Sequence, residues 1–207
     1  MTTMLKVTFI ELLKNYTDND CLINDLWTEI EKNYSSKKRH YHTLYHLDSL
    51  LAQLTDLKGE IQNWNSILFT LYYHDIVYNS LKSDNEEKSA ELAEKRMKQI
   101  SVSKDTIELS KKQILATKSH LKSTESDTNY FTDADLSILG QNWDTYYLYC
   151  KNVRKEYAIY PDFVYNPGRK KVLNLFLSMG RIFKTDFFYN KFETQAIKNI
   201  QREIELL

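Results

Sequence analysis

An all-α protein is what this sequence predicts, on three observations. The first is a shortage of turn residues. The 207 residues include four glycines and two prolines, with none between residues 1 and 58 or between 60 and 139. A sandwich or barrel of short strands needs tight turns every ~8–12 residues, many at positive φ, and could hardly be built from that stock. The second is apolar residues recurring three and four apart, the period of a half-buried helix. The third is a set of helix-start signals standing just ahead of those stripes.

The elements follow in chain order. Leu5, Phe9, Leu12, Leu13 and Tyr16 mark a first helix, and Leu22, Leu26 and Ile30 a second, opened by Asp18-Asn19-Asp20. Leu47, Leu50, Leu51 and Leu54 mark a third. Ile61, Trp64, Ile67, Leu68 and Leu71 mark a fourth, apolar enough to be central. Ser83-Asp84-Asn85-Glu86 matches a capping box for a fifth, with Ala90, Ala93 and Met97 inward. A sixth is expected over 103–117, and the polar, aperiodic stretch 118–130 reads as a loop. Thr132-Asp133-Ala134-Asp135 then opens a short helix stopping near Gly140. Trp143, Tyr146, Tyr147, Cys150, Val153 and Tyr157 form the next stripe, Pro161 to Gly168 a break, and 172–179 and 192–204 the last helices.

Composition narrows the function. At ~100–200 residues per domain the length predicts one domain over 1–207. Lysine plus arginine and aspartate plus glutamate balance at 28 each, which argues against a dedicated partner for long nucleic acids. Two cysteines cannot make a disulfide framework, so a reducing, cytoplasmic setting is expected. The longest apolar run, Ile67 to Tyr73, is far short of the ~20 residues of a membrane span. Lys6, Glu11 and Lys14 break the pattern of an export signal. P-loop, GxGxxG, HExxH, CxxC and GxSxG motifs are absent from the sequence.

Histidines and aspartates carry the chemistry. In Arg39-His40-Tyr41-His42-Thr43-Leu44-Tyr45-His46, His42 and His46 stand four apart, on one face if helical. They read either as polar residues near a helix start or as two groups serving one site. His74-Asp75 ends the most apolar helix, where a buried imidazole and carboxylate are costly unless paired or metal-bound. The plainer alternative is a histidine favourable to the helix dipole, followed by a loop aspartate. Asp133 and Asp135 suit a helix N-terminus equally well.

An early His, a His-Asp about thirty residues on and a late Asp form the layout of the HD superfamily. The sequence resembles HD-domain metal-dependent phosphohydrolases through His46, His74, Asp75 and Asp135, with Asp133 as the alternative late ligand. The likeness looks closer to one bacterial branch, described as predicted HD-superfamily phosphohydrolases. It is supported by residues 39–47, 74–78, 85–90, 133–140 and 154–157, so it covers about 37–160 with helices on both sides. The resemblance implies an HD-domain-like helical bundle with His46, His74, Asp75 and Asp135 as metal ligands. Tyr41-His42-x-x-x-His46 is similar to a run in cyclic-nucleotide phosphodiesterases, which implies His42 as general acid. Ile76-Val77-Tyr78-Asn79 departs from that family, so a cyclic-nucleotide substrate is not implied.

Two imidazoles and two carboxylates favour a borderline or hard divalent ion such as Mn, Mg, Co, Ni, Fe or Zn. With His120 as the one further histidine nearby, one ion is expected rather than two. Such an ion activates water and polarises a phosphoryl centre. Lys118, His120 and Arg154 are the expected substrate contacts, since phosphate charge needs neutralising, with His120 alternatively a partial contact to a second metal. Glu86 would orient the attacking water, or serve only as a capping residue. The function implied is a metal-dependent phosphohydrolase acting on a small phosphate ester, nucleotides included, with no nucleic-acid polymer and no membrane as partner. Its rival is a catalytically inactive HD module acting as a ligand sensor or partner-binding domain.

Overall fold

The computed structural model describes residues 2–207. Among them are ten α-helices, one 3-10 turn and no strand, and no helix is long and apolar enough to cross a membrane. The residues form two compact units, 2–132 and 133–207.

The first unit holds α1 (Thr2–Lys14), α2 (Asp20–Tyr34), α3 (Leu44–Thr55), α4 (Trp64–Tyr73), α5 (Asn85–Gln99), α6 (Lys104–Ala116) and most of α7 (Ser126–Leu136). α4 is its centre, with every residue from Ser66 to Tyr73 buried. It packs against α1, α3, α5 and α6. Phe9 meets Tyr72 edge-on at 4.9 Å, and the Tyr72 hydroxyl donates to the Leu5 carbonyl at 2.8 Å. That burial pushes the hydroxyl pKa well up. The polar residues of α4 are matched rather than exposed. Thr70 donates to Gln113 Oε1 at 2.6 Å, and Ser110 donates to the Ser66 carbonyl at 3.2 Å.

Local side-chain caps open three of the helices. Asn19 accepts from the Leu22 amide, Ser103 from Thr106 and Asn142 from Thr145. The start of α4 is capped from a distance. Asp127, 4% exposed, accepts from the Gln62 and Asn63 amides at 3.0 and 2.7 Å. α7 therefore begins at Ser126, inside the stretch expected to be a loop. Its buried face carries Asp127, Thr128 and Thr132 beside Phe131, so no apolar period announces it. The expected capping box does not form. Asp84 is the N-cap of α5, without a side-chain cap bond, and Glu86 lies in the first turn.

The second unit holds the 3-10 turn Ser137–Gly140, α8 (Trp143–Glu156), α9 (Asp162–Ser178) and α10 (Asp186–Leu206). α9 runs through the expected break. Pro161 serves as its N-cap, and Pro167 sits within the helix. The buried anchors Tyr165 and Leu173 outweigh the amide that Pro167 lacks. Loop 182–185 is held by two buried carboxylates. Glu193 accepts from the Ile182 and Phe183 amides. Asp133 accepts from the amides of Lys184 and Thr185 and from the Thr185 hydroxyl. Burial nonetheless pushes the Asp133 carboxyl pKa up, against those donors.

Of the four glycines, Gly140 alone is packed against a neighbour. A Cβ there would lie 2.4 Å from Phe192 Cβ and 2.7 Å from its carbonyl oxygen. Backbone cannot swing aside, so Gly140→Ala is expected to destabilise the second unit by about 1–3 kcal/mol or more. A urea titration monitored by tryptophan fluorescence checks this. A shift under about 0.5 kcal/mol would contradict the close approach.

Candidate metal centre

Two chain segments meet at the site. One is the irregular stretch 35–43 and the first turn of α3; the other is the turn that leaves α4. His46 lies in that first turn, 4% exposed, and His74 caps α4, 1% exposed. His42 precedes α3, whose N-cap is Thr43, so the His42/His46 pair does not share a helix. The two rings still stand 5.8 Å apart.

His46 Nε2 and His74 Nε2 approach to 3.2 Å. Asp75 Oδ2 lies 3.2 Å from His74 Nε2 and 3.9 Å from His46 Nε2. One ligand atom from each of the three residues falls within 4.8 Å of the others. The His74 tautomer follows from its second nitrogen. Nδ1 stands 3.0 Å from the Leu71 carbonyl, which can only accept, so Nδ1 carries a proton and, in the neutral ring, Nε2 offers a lone pair. That lone pair faces a carboxylate oxygen at contact distance. Such an arrangement is repulsive unless a proton or cation lies between the two. Ligands ~2.0–2.2 Å from a shared ion at near-tetrahedral or octahedral angles stand ~3–3.5 Å apart. The donor set therefore fits a divalent cation. A ring N–H held by a backbone carbonyl is also the usual outer support of a metal-binding histidine.

His42 stands at the rim. Its Nε2 is 3.9 Å from Asp75 Oδ2, and its ring lies 4.4 Å from that of Tyr78. Tyr41 packs against both His42 and His46, at 4.9 and 5.0 Å. Phe131 packs edge-on against His74 at 5.4 Å and closes the buried side.

The other expected residues are placed as follows. Lys118 follows α6 and donates to the Ser83 carbonyl at 2.7 Å and to Glu87. The Glu87 bond holds its ammonium pKa above the ordinary lysine value. A Glu86 carboxylate oxygen is 4.0 Å from the same ammonium. His120 has φ 51°, in the left-handed region, and its amide donates to the Ala116 carbonyl. Asp135 lies in the last turn of α7, in the second unit, where its charge acts on Lys184. Asp133, the alternative late ligand, is fully buried and committed to loop 182–185. Arg154 ends α8 with hydrogen bonds to Asp162 and to the carbonyls of Tyr157 and Tyr160.

Two contributors had no assigned role in the sequence reading. The Leu71 carbonyl is backbone and leaves no residue-type signal. Arg39 adjoins the histidine run, which was its one signal. Compared with known proteins, the chain matches no family model, no curated protein and no solved structure.

Proposed function

We propose that the chain is a metal-dependent phosphohydrolase of HD type, acting on small phosphate esters, nucleotides among them. One observation carries the proposal: His74 Nε2 and an Asp75 carboxylate oxygen face each other at 3.2 Å, with His46 Nε2 beside them, three potential ligand atoms in one cluster. Asp135 completes the ligand set by sequence resemblance, and a single ion is proposed. When bound, a divalent ion supplies Lewis acidity toward a phosphoryl centre.

The chain's own groups do the rest. His42, half-buried and steadied by the Tyr78 ring, holds a proton at Nε2 for a departing oxygen. His120 and Lys118, beyond the end of α6, are the proposed phosphate contacts, Lys118 by exchanging its bonds to Glu87 and the Ser83 carbonyl for the phosphate, and Glu86 orients the attacking water. Arg154 contributes less, because its guanidinium is already tied to Asp162 and two carbonyls.

The test begins with metal analysis of protein purified without chelator. Phosphomonoesters, cyclic nucleotides and nucleoside triphosphates are then screened with Mn, Co and Mg. His42→Ala is expected to lower the turnover of an active substrate by ~10²–10⁴-fold at unchanged metal content. Protein that loads metal yet hydrolyses nothing would overturn the hydrolase and leave a ligand-sensing or partner-binding HD module.

A further inference from the structure

The buried guanidinium of Arg39 is the strongest feature without a task. It is 8% exposed, in a stretch with neither helix nor strand around it. Its partners are carbonyl oxygens and ring faces. Nη1 donates to the Asp75 carbonyl at 2.7 Å and to the His42 carbonyl at 3.2 Å; Nη2 donates to the Ile76 carbonyl at 2.9 Å. The guanidinium carbon lies 4.7 Å from the Tyr34 ring centroid and 5.4 Å from that of Tyr78. Both rings also serve the site. The Tyr34 hydroxyl accepts from the Asp75 amide at 3.3 Å, and Tyr78 lies against His42.

One rigid fork thus bridges the two segments that supply the site's side chains. The carbonyls of Asp75 and Ile76 lie just past α4, where no further helical turn supplies them with donors. The His42 carbonyl belongs to the segment leading into α3 and His46. Several bonds from one planar cation fix the separation and the angle of these segments together, which a lysine's single ammonium does not reproduce.

We propose that Arg39 is the positioning residue of the metal centre. It sets the register between the His42–His46 segment and the His74–Asp75 turn, so that Asp75 Oδ2 and the two Nε2 atoms converge. This inference rests on the metal-site reading above.

Cobalt(II) titration of the full chain tests it, followed by visible absorption and run well below the melting temperature of each variant. Wild type is expected to bind cobalt and His46→Ala to lose it. Arg39→Met is expected to weaken cobalt binding by ~10–100-fold, the usual effect of losing an outer support, and to change the d–d band. Arg39→Lys should fall between the two. Methylguanidinium added to folded Arg39→Ala should restore the wild-type band, and should not do so for His46→Ala. A purely structural loss would lower the melting temperature and leave the band of the folded fraction unchanged.

Cobalt affinity and spectrum in Arg39→Met within twofold of wild type would overturn the positioning role and leave the metal site standing. If Arg39→Met does not fold, Arg39→Lys decides: a loss of fivefold or more with an altered band supports the proposal, and anything less overturns it. If wild type takes up no cobalt, the metal reading fails and the positioning role fails with it.

Discussion

His74→Ala is expected to abolish metal loading and, with it, the metal-dependent part of the protein's stability. His74 stands at the centre of the cluster, 3.2 Å from both His46 Nε2 and Asp75 Oδ2. Its loss should weaken binding by more than the ~10–100-fold of an outer partner. A ligand that binds only the folded chain stabilises it by about 2.7 kcal/mol at a hundred times its Kd. For a protein of this size that raises Tm by roughly 5–10 °C. Differential scanning fluorimetry with and without Mn, Co or Zn should show this rise in wild type and none in His74→Ala. The rise should also shrink as pH falls, because the imidazoles must be deprotonated to bind. An equal rise in both proteins would mean that the metal sits elsewhere.

Glu203→Gln is expected to destabilise the second unit by about 3–5 kcal/mol, the range for breaking one side of a buried ion pair. Arg169 donates to Glu203 through Nε and Nη2, at 2.8 and 3.0 Å, with the two side chains 9% and 6% exposed. The Tyr146 hydroxyl also donates to Glu203. Burial alone would raise the Glu203 pKa, but Arg169 and Tyr146 outweigh it and hold the carboxyl below its ordinary value of 4.5. A depressed carboxyl contributes stability that is full above its unfolded pKa and lost as pH falls through the folded one. The gap between wild type and Glu203→Gln should therefore be widest near neutrality and close below about pH 4.5. Urea denaturation at several pH values checks both size and sign. The double variant Arg169→Met/Glu203→Leu should recover most of the loss, because an apolar pair leaves no charge stranded. The same network surrounds Cys150, whose thiol pKa burial and then Glu203 push up to about 12.

Much of this was legible in the sequence where the cause is local. Leu47, Leu50, Leu51 and Leu54 are all buried, as are Ala90, Ala93 and Met97, because helical period alone decides which face turns inward. The short list of turn residues excluded strands for the same reason. Within the site, His46, His74 and Asp75 stood out as residue types and were grouped as ligands by the family resemblance, and they do come together. What escaped depends on partners far along the chain. Asp127 looked like loop polarity, yet it caps α4 from sixty-four residues away. Pro167 looked like a break, yet α9 runs through it on buried anchors. Arg39 was noted only as part of the histidine run, and nothing in its neighbours reveals that two of its acceptors are carbonyls 36 and 37 residues on.

The bond from His74 Nδ1 to the Leu71 carbonyl couples the candidate site to the persistence of a helix end. In a helix continuing past Tyr73, that carbonyl would take the Asp75 amide; here the amide goes to the Tyr34 hydroxyl and the carbonyl to the imidazole. Fraying of the last turn of α4 would thus free the ring to rotate and to exchange its tautomer in the same event. Under the proposed metal reading, ion occupancy and local unfolding at residues 70–75 would form one linked equilibrium, and amide exchange along that turn would gauge how full the site is.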